Sequence, residues 1–434
     1  SGLSTPNGAI SYKQQGKDLS IGGAVTSGGG NILIDPPVNV TIDADINAGT
    51  GNITVQATNN VTINEGDLIT TAGTVLVQAD SDASGGGNLI FNDSTTLAAA
   101  DEKVRAGTGT IQLRGEHISL KDFSVKTTGL VDVLAGQGGA STGEIFSDAT
   151  SAAANYDLSA GTVKLVSNGG EIGKDNTTQR TVVLVSSGQV DAEADGAIHI
   201  TSVAGDALSV GLIDAGANAV TLVGNSNVTD TGTDAATDVI GTTLTINDGA
   251  AGSAGNITLD TAVTDANLNG GTISIHDGDG LNITGITATG SLSVETSGTI
   301  TDSAATTLAV SGLAVFNAGA NDITLGDDAG DTTNFGTLNL SGSAVIISED
   351  SSTELTGVDV TTLSLTSSSH ITDSASTTLE VDGLATITNL GAGTIILGDD
   401  AGDTTNFGTL NLHGTNITVT EDSSTELTGV AAVG

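Results

Sequence analysis

The side chains best suited to chemistry in this sequence are carboxylates, and they recur in a fixed pattern. Asp327 and Asp328 are followed three residues later by Asp331, and the same trio returns as Asp399, Asp400 and Asp403. Hard cations take six to eight oxygens, and such a loop offers carboxylates plus backbone carbonyls, so the functional reading is a loose Ca²⁺ site. The plainer reading is a solvated corner loop, duplicated along with the repeat that carries it. Neither the EF-hand spacing nor a Gly-Gly-x-Gly-x-Asp repeat is present, and no cofactor other than Ca²⁺ is expected. His276-Asp277-Gly278-Asp279 is a further oxygen-rich cluster with the composition of a turn.

Carbohydrate cleavage needs paired carboxylates at controlled spacing, or a cationic base beside a metal. None of the five histidines (His117, His199, His276, His370 and His413) is flanked by two glycines, and no Lys or Arg follows Arg180 to stabilise a developing anion. A polysaccharide-active enzyme is therefore the weakest functional reading, and no catalytic residues are expected. The chain has no Cys, which removes disulfides and thiol chemistry. Phe335 and Phe407 sit at equivalent repeat positions and are expected to stack internally; the other reading is a surface platform for carbohydrate. Asn-x-Thr triplets at Asn39, Asn52, Asn60, Asn227, Asn256, Asn282 and Asn416 match the glycosylation acceptor. They are better explained by an Asn that leads a strand, followed by an outward-facing Thr.

The elements that must carry these residues are short and periodic. A pentad of Gly, Asn or Thr, apolar, any, apolar appears at 30–34, 51–55, 73–77, 109–113, 161–165, 255–259 and 271–275, with variants at 129–133 and 196–200. A second phased strand follows, Val40-Thr41-Ile42 and then Val61-Thr62-Ile63, and a third apolar step comes at Ile46 and at Leu68-Ile69. Three short strands per coil of about 21–24 residues describe a parallel β-helix, an all-β solenoid, because one coil cannot bury its apolar row alone. Alternation predicts Ile53 and Val55 inward, Asn52 and Thr54 outward. Glycine is expected to supply conformational freedom at the corners.

The second half adds a longer period. Residues 300–314 return at 371–385, 326–340 return unchanged at 398–412, and 349–358 recur at 421–430, an offset of 71 and then 72 residues. Three coils of about 24 residues fit that period, as do four shorter ones. Stretches 78–108, 134–160 and 202–218 are expected as extruded loops, and only 101–107 has the composition for a helical turn. Tandem immunoglobulin-like sandwiches need about 100 residues per unit, which neither period supplies. Disorder is opposed by a charged fraction of only 14% and by recurrent β-branched alternation.

Charge divides the chain at residue 180. Residues 1–180 hold all ten Lys and Arg against 19 acids, −9 in sum; residues 181–434 hold 32 acids and no base, −32. The expected domains are thus 1–180, of mixed charge with extruded loops, and 181–434, wholly acidic with 71–72-residue repeats, in one continuous rod. Such a surface repels nucleic acid and anionic membrane. No apolar run approaches the ~18 residues of a transmembrane span. No signal peptide is visible, and the chain reads as a processed product or an excerpt of a longer one.

The pentads Gly51-Asn52-Ile53-Thr54-Val55 and Gly255-Asn256-Ile257-Thr258-Leu259, with Asn60-Val61-Thr62-Ile63 and the acidic, Cys-free composition, resemble the filamentous-haemagglutinin-like proteins. These are large repetitive bacterial exoproteins, typically exported by two-partner secretion. The resemblance implies a right-handed parallel β-helix at the bacterial cell surface, acting as a rigid stalk or adhesin. Its partner would be a receptor or glycan of a host or neighbouring cell. The family's N-terminal secretion motifs are not placed in this sequence. The alternative is a self-assembling subunit of an extracellular filament or sheath, its partner being a second copy joined head to tail.

Overall fold

The repeating pentads become short parallel strands in the computed structural model, which describes residues 2–35, 37–92, 102–121, 124–137, 142–147, 155–174, 180–203, 205–232, 236–247 and 255–432. The chain is an all-β parallel solenoid, and among the described residues there is no helix. By its contacts it divides into two units, Ser1–Asp234 and Ala235–Gly434, a boundary distinct from the change of charge at residue 180.

In the first unit three faces alternate along the chain. One face stacks Ile32–Asp35, Ile53–Gln56, Val75–Gln78 and Ile111–Gly115. The second stacks Leu19–Ile21, Val40–Ile42, Val61–Ile63, Leu89–Phe91, His117–Leu120 and Glu144–Ser147. The third carries Ile46–Gly49, Leu68–Thr70, Val104–Ala106 and Val125–Thr127. Register is direct: Ile32 pairs with Ile53, Ile53 with Val75, Val75 with Ile111. The apolar row therefore lies on itself from coil to coil, and Ile53 and Val55 are fully buried while Asn52 is exposed, as alternation predicts.

Two features of the pentad acquire a cause. A Cβ on Gly51 would lie 2.4 Å from the Gly30 carbonyl oxygen, and one on Gly73 would lie 2.1 Å from that of Gly51. Neither glycine has positive φ. Close approach of stacked backbones, rather than left-handed freedom at the corner, fixes glycine there. The Asn that follows caps the next coil: the Asn52 N–H donates to Asn31 Oδ1 at 2.9 Å, and the Thr74 N–H donates to Asn52 Oδ1 at 2.9 Å. Asn60 and Asn88 repeat this on the second face, where Asn39 Oδ1 accepts from Asn60 N–H and Asn60 Oδ1 from Asn88 N–H. Asn52→Ala is expected to cost about 1 kcal/mol, since the amide it serves is near solvent; a urea melt checks this. Asn282 departs from the pattern, lying inside strand Leu281–Ala288 and donating to Asp265 Oδ1 at 2.6 Å.

The stretches expected as extruded loops contain strands of the coil. Leu89–Phe91 and Val104–Ala106 lie within 78–108, Glu144–Ser147 and Leu158–Ala160 within 134–160, and Leu208–Asp214 within 202–218. The helical turn expected at 101–107 is instead occupied by Val104–Ala106, which pairs with Leu68–Thr70. Asp101, the first residue of that stretch, lies outside the described residues.

In the second unit the two periods reconcile. Ile300, the partner of Leu281, stands in a line of register partners that runs on through Ile323, Val345, Leu363, Ala385 and Leu410. Its repeat equivalent, Ile371, stands in a different line, between Thr353 and Ile395 and then Ile417. Three turns take Ile300 to Leu363, and Ile371 comes one face later in the chain. The 71–72-residue repeat therefore spans three and one-third turns, which corrects the expectation of three or four whole coils. Coil length stays close to that of the first unit, and each copy of the repeat is displaced by one face.

Candidate functional site

The acidic loops sit at corners of the second unit. Gly326 and Gly330 have φ of +71° and +99°, and their copies Gly398 and Gly402 have +68° and +100°, so only glycine passes these turns without strain. Asp327, Asp328, Asp399 and Asp400 are exposed. Asp331 is committed to the backbone: Oδ1 accepts from Thr306 N–H at 2.9 Å and Oδ2 from Asp328 N–H at 2.8 Å. Asp403 does the same with Thr377 N–H at 3.0 Å and Asp400 N–H at 2.8 Å. Among the described residues no group of three or more His, Asp or Glu side chains is placed to hold a metal ion.

The residue that completes each corner was not singled out by sequence reasoning. Asp302 accepts the Gly326 N–H at 3.2 and 3.1 Å, and Asp373 accepts that of Gly398 at 3.2 and 3.0 Å. Burial pushes the Asp302 carboxyl up to about 6, with repulsion from Asp331 and Asp327 adding to it. Asp373 is raised by burial first and then by Asp403 and Asp399. The signal was available, because Ile-Thr-Asp at 300–302 returns at 371–373 with its loop.

A second set of acids faces the interior once per repeat. Asp277 accepts from Thr261 Oγ1 at 2.8 Å and from Val263 N–H at 3.1 Å, and is fully buried. Seventy-two positions on, Glu349 accepts from Phe335 N–H at 2.7 Å and Thr353 Oγ1 at 2.8 Å, and Glu421 accepts from Phe407 N–H at 2.9 Å. Alternation along Ile273-Ser274-Ile275-His276-Asp277 and Val345-Ile346-Ile347-Ser348-Glu349 puts each acid on the buried side. Burial raises the pKa of both Asp277 and Glu349. The turn expected at 276–279 is present as the end of this strand, with Asp279 N–H on Asp277 Oδ1 at 3.0 Å and His276 Nδ1 2.8 Å from Asp260 Oδ1. Phe335 and Phe407 are buried, and the Phe335 ring meets Phe316 edge-on with centroids 5.5 Å apart.

Three of the first unit's ten cations, Lys103, Arg105 and Lys126, gather on its third face. Lys126 Nζ is 2.7 Å from Glu102 Oε1, the Tyr156 hydroxyl donates to the same oxygen at 2.8 Å, and Arg105 stands 3.9 Å from Oε2. Lys103 and Arg105 reach the two oxygens of Asp67 at 3.4 and 3.5 Å. Burial opposes ionisation of Glu102, but Lys126 and the Tyr156 hydroxyl more than reverse it and hold the carboxyl below its ordinary range. Tyr156 rests on Val182 and Val203. The cluster thus seats one segment of the coil on another by charge-assisted hydrogen bonds.

Residues 270–339 and 341–411 match the family of repeats of unknown function (DUF5649). Each match is close in length to one displaced repeat of the second unit. No curated protein and no solved structure gives a match. Among the described residues no helix is long and apolar enough to cross a membrane.

Proposed function

We propose that the chain is a structural and adhesive segment of a large bacterial surface protein, displayed outside the cell as a stiff β-solenoid stalk. The observation that carries this reading is the parallel stacking of buried apolar rows from coil to coil within each unit. A scaffold of that kind holds surface side chains at fixed spacings without a hinge. The wholly acidic composition past Arg180 supports it, since like charge keeps repetitive β-chains soluble. Adhesion is tested by coating beads with the protein and measuring capture by bacterial or host cells; beads retained no better than albumin-coated ones would sink it.

A second reading is the filament subunit, supported by the near-identical 71–72-residue repeats, since coils of like sequence can stack on one another. Electron microscopy separates the two readings: dispersed particles at every concentration count against assembly, and lengthening fibres count for it.

A further inference from the structure

The second face of the first unit carries a slot that the stalk reading does not use. Across three successive coils the outward row reads Ile90, Ser119, Phe146, with Ile90 paired to Ser119 and Ser119 to Phe146. A serine between two bulky side chains leaves a gap. With strands about 4.8 Å apart, the flanking backbones stand about 9.6 Å from one another. One saturated ring needs roughly 7–8 Å between two walls at van der Waals contact, so it fits.

The neighbouring outward row is polar. Asn88, His117 and Glu144 line the same cleft, whose volume is about 320 Å³, near the lower end for ligand sites. Asn88 Oδ1 and His117 Nδ1 are buried, and neither has a hydrogen-bond partner among the described residues. His117 Nδ1 is 3.9 Å from Glu144 Oε2, beyond hydrogen-bond reach. The asparagine ladder that runs Asn39, Asn60, Asn88 ends here, since no described amide of the next coil donates to Asn88 Oδ1. Turning either group toward a ligand breaks no existing hydrogen bond. Lys174 Nζ lies 4.7 Å from the Phe146 ring centroid and 3.8 Å from Glu144, so the local charges offset.

We infer that this cleft binds a neutral pyranose unit of a glycan, its ring between Ile90 and Phe146 and its hydroxyl rim toward Ser119, Asn88, His117 and Glu144. A flat aromatic ligand would leave those polar groups unanswered. An acidic sugar would meet Glu144 in the cleft wall and a net charge of −9 over residues 1–180. The inference deepens the adhesive reading and rests on it only for the source of the sugar.

The chain has six Phe, so fluorophenylalanine labelling of the whole protein gives six ¹⁹F signals, and Phe146→Leu assigns one of them. Methyl glycosides of glucose, galactose, mannose, N-acetylglucosamine and glucuronic acid are titrated singly to millimolar concentration. The expected result is a saturable shift of the Phe146 signal with a neutral glycoside. Ser119→Trp, which fills the slot from an outward position, abolishes that shift while the far-UV spectrum and the other five signals stay in place. Three results overturn the inference: no glycoside moves the signal, the glucuronide alone moves it, or the shift survives Ser119→Trp. Sugar binding without cell capture in the bead assay counts against adhesion and not against the site.

Discussion

Lowering the pH from about 7 to about 5.5 is expected to raise the melting temperature of the unit formed by residues 235–434, by on the order of 5 °C. The sign follows from the acids of that unit. Asp277, Asp302, Glu349 and Asp373 all have pKa values raised by burial, so the folded state holds their protons more tightly than the unfolded state does. For Asp302 the window runs from about 6 down to its ordinary 3.8, and stability rises as pH falls through it. No cation follows Arg180, so each proton also relieves repulsion among the 25 acids of residues 235–434. The first unit contains an opposing group. Glu102 has a lowered pKa, and the stability that it contributes above its unfolded value is lost as pH falls through its folded one. Hydrogen exchange followed by mass spectrometry reads the units separately; a uniform loss of protection on acidification would contradict the assignment.

Phe335→Ala is expected to destabilise the second unit by about 3–5 kcal/mol. The ring is 2% exposed, packs edge-on against Phe316 and lies in register with Val310 of the preceding coil, so its loss opens a cavity between coils. In a solenoid each coil touches only its neighbours, and the damage should stay near its origin. Protection is expected to fall across residues 307–367 and to remain unchanged in residues 10–135. Equal loss along both segments would mean that the chain melts as a single cooperative block.

The sequence made the coil legible wherever apolar alternation was uninterrupted. Val40–Ile42 and Val61–Ile63 were found by their spacing alone and pair residue for residue. Leu89–Phe91 and Val104–Ala106 were missed because extra residues delay them, and a displaced three-residue strand carries too few alternations to stand out. The acidic loops were found by their duplication, and Phe335 and Phe407 were rightly placed inside. What the loops do locally was not legible, since spacing alone does not reveal that Asp331 spends both oxygens on backbone amides. Ser119 carried no signal at all; its meaning comes from the residues that two neighbouring coils place on either side of it.

The displacement of each repeat by one face has a consequence for how such a protein can change length. Inserting or deleting a single 72-residue copy rotates the face assignment of every strand beyond it by a third of a turn. A row of side chains that met like partners before would then meet those of a different face. Only a chain whose faces are interchangeable tolerates this, and two lines of the second unit behave so, with an apolar partner in the next coil both for Ile300, which pairs with Ile323, and for Ile371, which pairs with Ile395. Copies added singly would distribute their acidic loops around the circumference, and three copies would return the pattern to its starting face. Growth by whole repeats thus spreads like charge around the axis instead of lining it up along one edge.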